Sequence, residues 1–263
     1  MAAAAFKGAL FVALHAQIPT DPIIDAARDA AAAFAQSLPD YVVKRTTTRY
    51  RGSRPTPNSA ANLAGKWQKP DIVTADVATD NGKEVYTNIS VNGKPATKLP
   101  TGGEWSAGEF SNVLRDILAS KSGAVFTNQR LDSVRNHPSY RYDFAIDESH
   151  STWHLSFEGG QGPAVRYSPA YGGAIWIDRA TGQVLRIEEV ARGVPGYFPL
   201  DALESDTDYD FVTIGDEKYC LPARSEDITC VRGSTLCFRN ETVFQDYKKF
   251  GADTSITFDG GAK

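Results

Sequence analysis

Two histidines four residues apart, His150 and His154, are the first residues whose spacing suggests chemistry. On a helix that spacing puts both imidazoles on one face, as a zinc site requires. Here Trp153, Leu155 and Phe157 alternate with polar residues and predict a strand over 151–157. At roughly 3.3 Å per residue the two histidines then stand about 13 Å apart, too far to share an ion. Asp206, Asp208, Asp210 and Glu217 imitate the ligand ladder of a calcium loop, but Phe211 occupies the position that must be glycine. Acids at period two between apolar residues read as the solvated face of a strand. No Gly-x-Ser-x-Gly elbow occurs, and no signal pairs His137, beside Pro138, with a serine or cysteine. The 32 acidic residues offer too many carboxylate pairs to single one out. The sequence therefore calls for no catalytic residue, no metal and no cofactor.

The remaining chemical lead is aromatic. Trp105 lies just ahead of a predicted helix that Phe110 opens and Leu114 continues, while Trp153 and Trp176 fall on predicted strands. Together Trp105, Phe110, Leu114, Trp153 and Trp176 are candidates to line an apolar ligand pocket between a sheet and a covering helix. The alternative is that they fill the core, since large aromatics dominate burial in any fold of this size.

Cysteines bear on the compartment. If residues 232–235 form a four-residue hairpin loop, Val231 faces Leu236 and Cys230 faces Cys237. Opposed residues at such a site have Cα atoms roughly 4.5 Å apart, within disulfide reach. Two free thiols on adjacent strands are the alternative. A zinc site is disfavoured, because no second Cys/His pair has ligand spacing. Cys220 is left over and reads as a buried, inert thiol. At the N-terminus, Lys7 precedes an apolar run over 8–14 and the small Ala16, a pattern of a short secretory signal cleaved near Ala16 and Gln17. The expected organisation is a leader over 1–16 and one domain over 17–263, in a periplasmic or secreted protein. A net charge of −4 argues against nucleic acid as a partner, and no apolar run approaches the roughly 20 residues of a membrane span.

These residues must be positioned by a largely β chain. Asp21 can cap a helix over 23–38, with Pro22 at its first position and an apolar stripe through Ile24, Ala27, Ala31, Phe34, Ala35 and Leu38. Ser106 and Glu109 form a capping box ahead of a second helix whose stripe runs through Phe110, Val113, Leu114, Ile117 and Leu118. Residues 41–50, 71–80 and 83–91 predict strands, with a long Gly/Pro/Ser/Asn-rich loop over 51–66 and hairpin turns at Asn81-Gly82 and Asn92-Gly93. Beyond residue 124 a meander follows, with strands near 124–134, 139–147, 151–157, 173–178, 183–191, 206–214, 217–230, 236–248 and 254–258. The fold class is mainly β (α+β): a large curved antiparallel sheet, or open half-barrel, with two covering helices.

This order of elements resembles that of the half-barrel proteins of the bacterial envelope, which include the lipoprotein carrier LolA and the sensor RseB. The segments from Trp176 through Asp178, Gly182 and Ile187, and from Asp208-Tyr209 through Tyr219-Cys220-Leu221-Pro222, carry it. A closer likeness is to uncharacterised exported proteins of soil acidobacteria, on Leu38-Pro39-Asp40-Tyr41, Gly108-Glu109-Phe110, Asp178 to Gly182 and Arg239-Asn240-Glu241. The resemblance implies a fold, an envelope location and two functional classes, and the acidic residues leave a third open. The first is non-catalytic binding of a lipid, lipoprotein acyl chain or other amphipathic ligand. The second is interaction with an envelope protein partner, and the third a hydrolase with unidentified carboxylates. Thr, Asp and Arg between the apolar strand residues leave open a cavity smaller than the carriers' or partly filled.

Overall fold

The computed structural model describes residues 21–37, 41–80, 83–100, 112–157 and 164–249. The apolar N-terminus, Trp105, Phe110, the Ser106–Glu109 box, Leu38-Pro39, the Asn81-Gly82 turn and the strand expected over 254–258 lie outside them.

The first helix, α1 (Pro22–Ser37), starts where a capping side chain is available. Asp21 Oδ1 accepts from the Ile23 N–H at 2.9 Å, satisfying one of the helix's unpaired donors. Its second oxygen accepts from the Tyr142 hydroxyl at 2.8 Å, so the cap also ties the helix to the sheet. The second helix, α2 (Asn112–Leu118), buries Leu114, Ile117 and Leu118, as its 3.6-residue stripe requires.

Eleven strands form one antiparallel sheet that does not close into a barrel. In chain order they are β1 (Tyr41–Ser53), β2 (Gly65–Asp80), β3 (Lys83–Val91), β4 (Lys94–Pro95), β5 (Val125–Val134) and β6 (His137–Ile146). Short β7 (Leu155–Phe157) and β8 (Val165–Tyr167) pair apart, and β9 (Ala170–Asp178), β10 (Val184–Arg192), β11 (Leu200–Ile214), β12 (Glu217–Val231) and β13 (Leu236–Lys249) complete the large sheet. Its spatial order is β4-β3-β2-β1-β13-β12-β11-β10-β9-β6-β5, so β1 joins the last strand and β6 skips to β9.

Hairpin chemistry sets much of this. Asn92 and Gly93 both have positive φ (51° and 76°), as a two-residue turn matched to strand twist needs. β2 and β3 pair from Asp80 opposite Lys83 outward, the register expected of a hairpin there. The structure departs from expectation over 51–66: β1 continues to Ser53 and β2 already begins at Gly65, with Ser53 opposite Gly65. Composition marked those ends as loop, but β13 pairs with β1 as far as Ser53, and β2 pairs with that extension from Gly65.

Directly paired residues share a face. One cross-strand row runs Tyr142, Ile175, Ile187, Thr207, Ser225, Thr242, Thr47 and Val73. The next row on the same side runs Phe144, Gly173, Glu189, Ser205, Asp227, Asn240, Arg49 and Asp71. Since Ile24, Ala27, Leu114, Ile117 and Leu118 cluster with Tyr142, Phe144, Ile175 and Ile187, both helices lie on this side, the inner face. A second cluster, around Tyr41, Val43, Val77, Leu221 and Phe244, closes the far end.

Candidate functional site

The inner face changes character along the strand order. Under α1 and α2, across β6, β9 and β10, it is apolar and aromatic. Across β11, β12, β13 and β1 the same rows carry Thr207, Ser225, Thr242, Thr47 and Asn240, all nearly inaccessible. Thr47 and Thr242 satisfy one another through their hydroxyls at 2.9 Å. Arg49 holds Asp71 through two hydrogen bonds, of 2.6 and 2.5 Å, a bidentate pair. Arg45, also buried, bonds the Tyr86 hydroxyl and lies over the Phe244 ring.

At the junction of the two stretches stands an acidic group. Glu189 of β10 is separated from Asp227 of β12 by Ser205 of β11, whose hydroxyl donates to Asp227 Oδ1 at 2.8 Å. Two strand spacings put the two acidic Cα atoms about 10 Å apart. Burial pushes the Glu189 carboxyl up to about 8, with Asp227 and Asp116 of α2 adding in the same direction. A carboxylic acid held neutral near pH 7 can donate a hydrogen bond, unlike its ionised form.

Of the residues marked by sequence, Leu114 is buried beneath α2 against the apolar part of the inner face. Trp153 packs edge-on against Tyr171, with ring centroids 5.6 Å apart, on the same side. It lies ahead of β7 rather than within a strand, since β7 spans only Leu155–Phe157. Trp176 pairs with Arg141 and Arg186, the row alternate to Ile175 and Ile177, and so projects from the opposite, outer face. There its indole N–H donates to Asp132 at 2.9 Å and its ring lies between the Arg141 and Arg186 guanidinium groups, at 4.8 and 5.8 Å. Leu114 and Trp153 thus share a face that Trp176 does not.

The other candidates behave as structural groups. His150 ends a 3-10 turn, and His154 bonds Ser168 through Nδ1 at 2.8 Å. Among the described residues no group of three or more His, Cys, Asp or Glu could hold a metal. Asp206 and Asp208 embrace Arg186 on the outer face at 3.1 and 2.9 Å, an ion network on one side of the strand. Cys230 and Cys237 form a disulfide with Cα atoms 4.1 Å apart, and Cys220 is a buried free thiol that burial pushes up to about 12. Arg54, nearly inaccessible, reaches Val231 and Ser234 carbonyls and Asp201, bracing the disulfide hairpin.

The polar stretch and its acids were not singled out from the sequence. Their signal was the run of Thr, Ser, Asp and Asn at alternate positions of β11 to β13, which also reads as ordinary strand composition.

Among the described residues no helix is long and apolar enough to cross a membrane. No protein-family profile matches the chain, and neither does any curated protein. A solved structure of a DUF1329 family protein from Desulfovibrio piger is similar at a TM-score of 0.41 and 12% identity, covering 90% of this chain and 96% of that one.

Proposed function

We propose that this chain is a non-catalytic, exported protein of the bacterial envelope that holds an amphipathic ligand, such as a lipid or acyl chain, on its inner face. The observation behind this reading is that one continuous face turns from apolar beneath the helices to hydroxyl- and carboxylate-bearing beyond them. An amphipathic molecule needs such a surface, and its apolar part contributes about 25 cal/mol per Å² buried. The mostly apolar crease between α1 and the sheet, lined by Ala27, Ala30, Ala31, Leu114, Val184 and Cys220 with Gln183 as its polar member, has room for about 20 Å³, one water's worth. A chain therefore enters by parting α1 from the sheet, and the small alanines on α1 make that separation inexpensive in lost contact. Export is supported by the disulfide, a bond of oxidising compartments, and by the leader-like apolar run over 8–14. Native mass spectrometry of protein purified from its own envelope tests the reading. A co-purified amphipath is expected, and a protein that carries none and binds no medium-chain amphipath after delipidation refutes it.

A second reading, an interaction module for an envelope protein, is favoured by one feature. β5 pairs only with β6, so its other edge has no strand partner among the described residues, and Val125 and Leu131 on it are 60% and 68% exposed. An open edge of this kind can receive an extended segment of a partner.

A further inference from the structure

The two edges of the large sheet are built differently. One ends in β4, only Lys94 and Pro95, a short strand whose lysine and proline discourage a further strand. The other ends in β5, which has ten residues, neither lysine nor proline, and is exposed from Thr127 through Ser133. A register shift between Thr127 and Arg130, with Asn128 at a φ of 53°, bends β5 there and leaves 130–134 as its regular edge.

The hairpin fixes which backbone groups this edge presents. Val134 pairs with His137 across a two-residue loop, Arg135 and Asn136, both at positive φ, so it belongs to the hydrogen-bonded pair that closes such a turn. Hydrogen-bonded and non-hydrogen-bonded pairs alternate along an antiparallel ladder. Ser133 and Leu131 therefore turn their N–H and C=O groups away from β6. In agreement, the Pro138 carbonyl, opposite Ser133, accepts from the Arg179 N–H, which follows β9 on the other side of β6. Leu131 shares the inner side with Tyr140 and Ile177, while Arg130 and Asp132 stand on the outer side with Arg141 and Trp176.

We propose that β5 pairs antiparallel with β5 of a second copy of this chain, about a two-fold axis through Leu131, joining two sheets into one. This rests on the open-edge reading above and names its partner. A two-fold axis normal to the sheet sets one residue opposite itself. With Leu131 there, Arg130 faces the copy's Asp132 and Asp132 faces the copy's Arg130, two pairs of opposite charge. Moving the axis to Arg130 or to Asp132 sets like charges face to face, so charge selects the register. The two Leu131 residues exchange their outward N–H···O bonds, and their exposed side chains cover one another. In the single chain Asp132 Oδ1 accepts from the Ser133 N–H at 2.8 Å, and the Trp176 indole holds Oδ2 at 2.9 Å. On pairing, the Ser133 N–H turns to the copy's Gln129 carbonyl and Oδ1 turns to the copy's Arg130. Arg130 gives up only a contact of 3.9 Å with Asp143 at the surface.

The test is sedimentation of the full chain over a range of concentrations, with exchange of the Leu131 amide followed in dilute protein. The contact is small, so half-association is expected at roughly 10–100 μM. Arg130→Asp and Asp132→Arg each set like charges opposite themselves, and each should weaken association about tenfold or more. An equal mixture of the two restores both pairs of opposite charge and should associate like the native chain. Leu131→Pro, which removes an outward N–H and no bond to β6, should stay monomeric with its unfolding midpoint nearly unchanged. In dilute native protein the Leu131 amide should exchange as an exposed amide does. Association that persists in Leu131→Pro and in both charge variants overturns the proposal. A native chain that stays monomeric while its Leu131 amide exchanges freely also overturns it, and leaves the edge open to another partner. Protection of that amide in dilute monomer shows the edge already covered, and the self-pairing and the open-edge reading then fall together.

Discussion

Replacing Glu189 by glutamine should stabilise the protein, increasingly so as the pH rises. In the folded chain burial holds this carboxyl up to about 8, against an ordinary value of 4.5. Between those values the folded state keeps a proton that the unfolded state has lost. Stability therefore declines with rising pH across that window, and the decline ends above the folded value. The gap of about 3.5 in pKa, at about 1.36 kcal/mol each, sets a ceiling of about 5 kcal/mol at pH 9. Glu189 is half-buried, so water and local relaxation screen part of this, and about 2 kcal/mol is the expected difference. Glutamine has no charge in either state and should be insensitive over the same range. The assay is urea unfolding of both proteins at intervals from pH 4 to pH 9, read as the difference in free energy at each pH. Comparing the two cancels other titrating groups, including Asp206, which burial pushes up to about 6. A difference that stays constant from pH 5 to pH 9, or that favours the native protein at high pH, refutes the placement of Glu189 in an acidic, desolvated site.

Other perturbations address the frame around the site. Cys230 and Cys237 are seven residues apart, so removing the disulfide with a double alanine variant should cost about 2–3 kcal/mol through the freed loop alone; an unchanged unfolding midpoint would contradict it. Arg54→Ala leaves Asp201 and three carbonyl groups without their buried partner and should cost about 3–5 kcal/mol, measurable by the same unfolding assay. Val125→Lys with Leu131→Lys charges the open edge of β5 at exposed positions; stability should change by less than about 0.5 kcal/mol, while any self-association or partner capture through that edge, followed by sedimentation, should be lost.

What could be read from the chain followed how local each determinant is. The Asp21 cap, the Asn92-Gly93 turn and the facing of Cys230 and Cys237 depend on a few adjacent residues, and each is present in the structure. The extension of β1 depends on β13, almost 200 residues away in sequence, and the start of β2 depends on that extension, so composition alone read both as loop. Trp176 is the clearest instance within the candidate site. Its alternation with Ile175 and Ile177 shows that they occupy opposite faces, but all three are buried, and nothing in a short apolar run says which side the helices will cover. The polar stretch failed for a related reason: threonine is favoured in strands whether it points inward or outward, so Thr47, Thr207 and Thr242 read as strand formers rather than as a buried belt.

The buried hydroxyls divide into those the fold accounts for and those it does not, and Ser225 is where the division is decided. Valine matches threonine in shape and strand preference and would avoid the loss of hydration, and Val73 sits beside Thr47 in the same row. Thr47 and Thr242 nonetheless have a structural reason, because each bonds the other. Thr242→Val should accordingly cost about 1 kcal/mol by stranding the Thr47 hydroxyl. Ser225, at the same depth, has no such bond to lose among the described residues. In ligand-free protein Ser225→Ala should therefore be neutral or stabilising by up to about 1 kcal/mol, because an idle buried hydroxyl is replaced by a methyl group of nearly the same size. A loss of more than about 1 kcal/mol on that substitution would show that the hydroxyl already serves the fold.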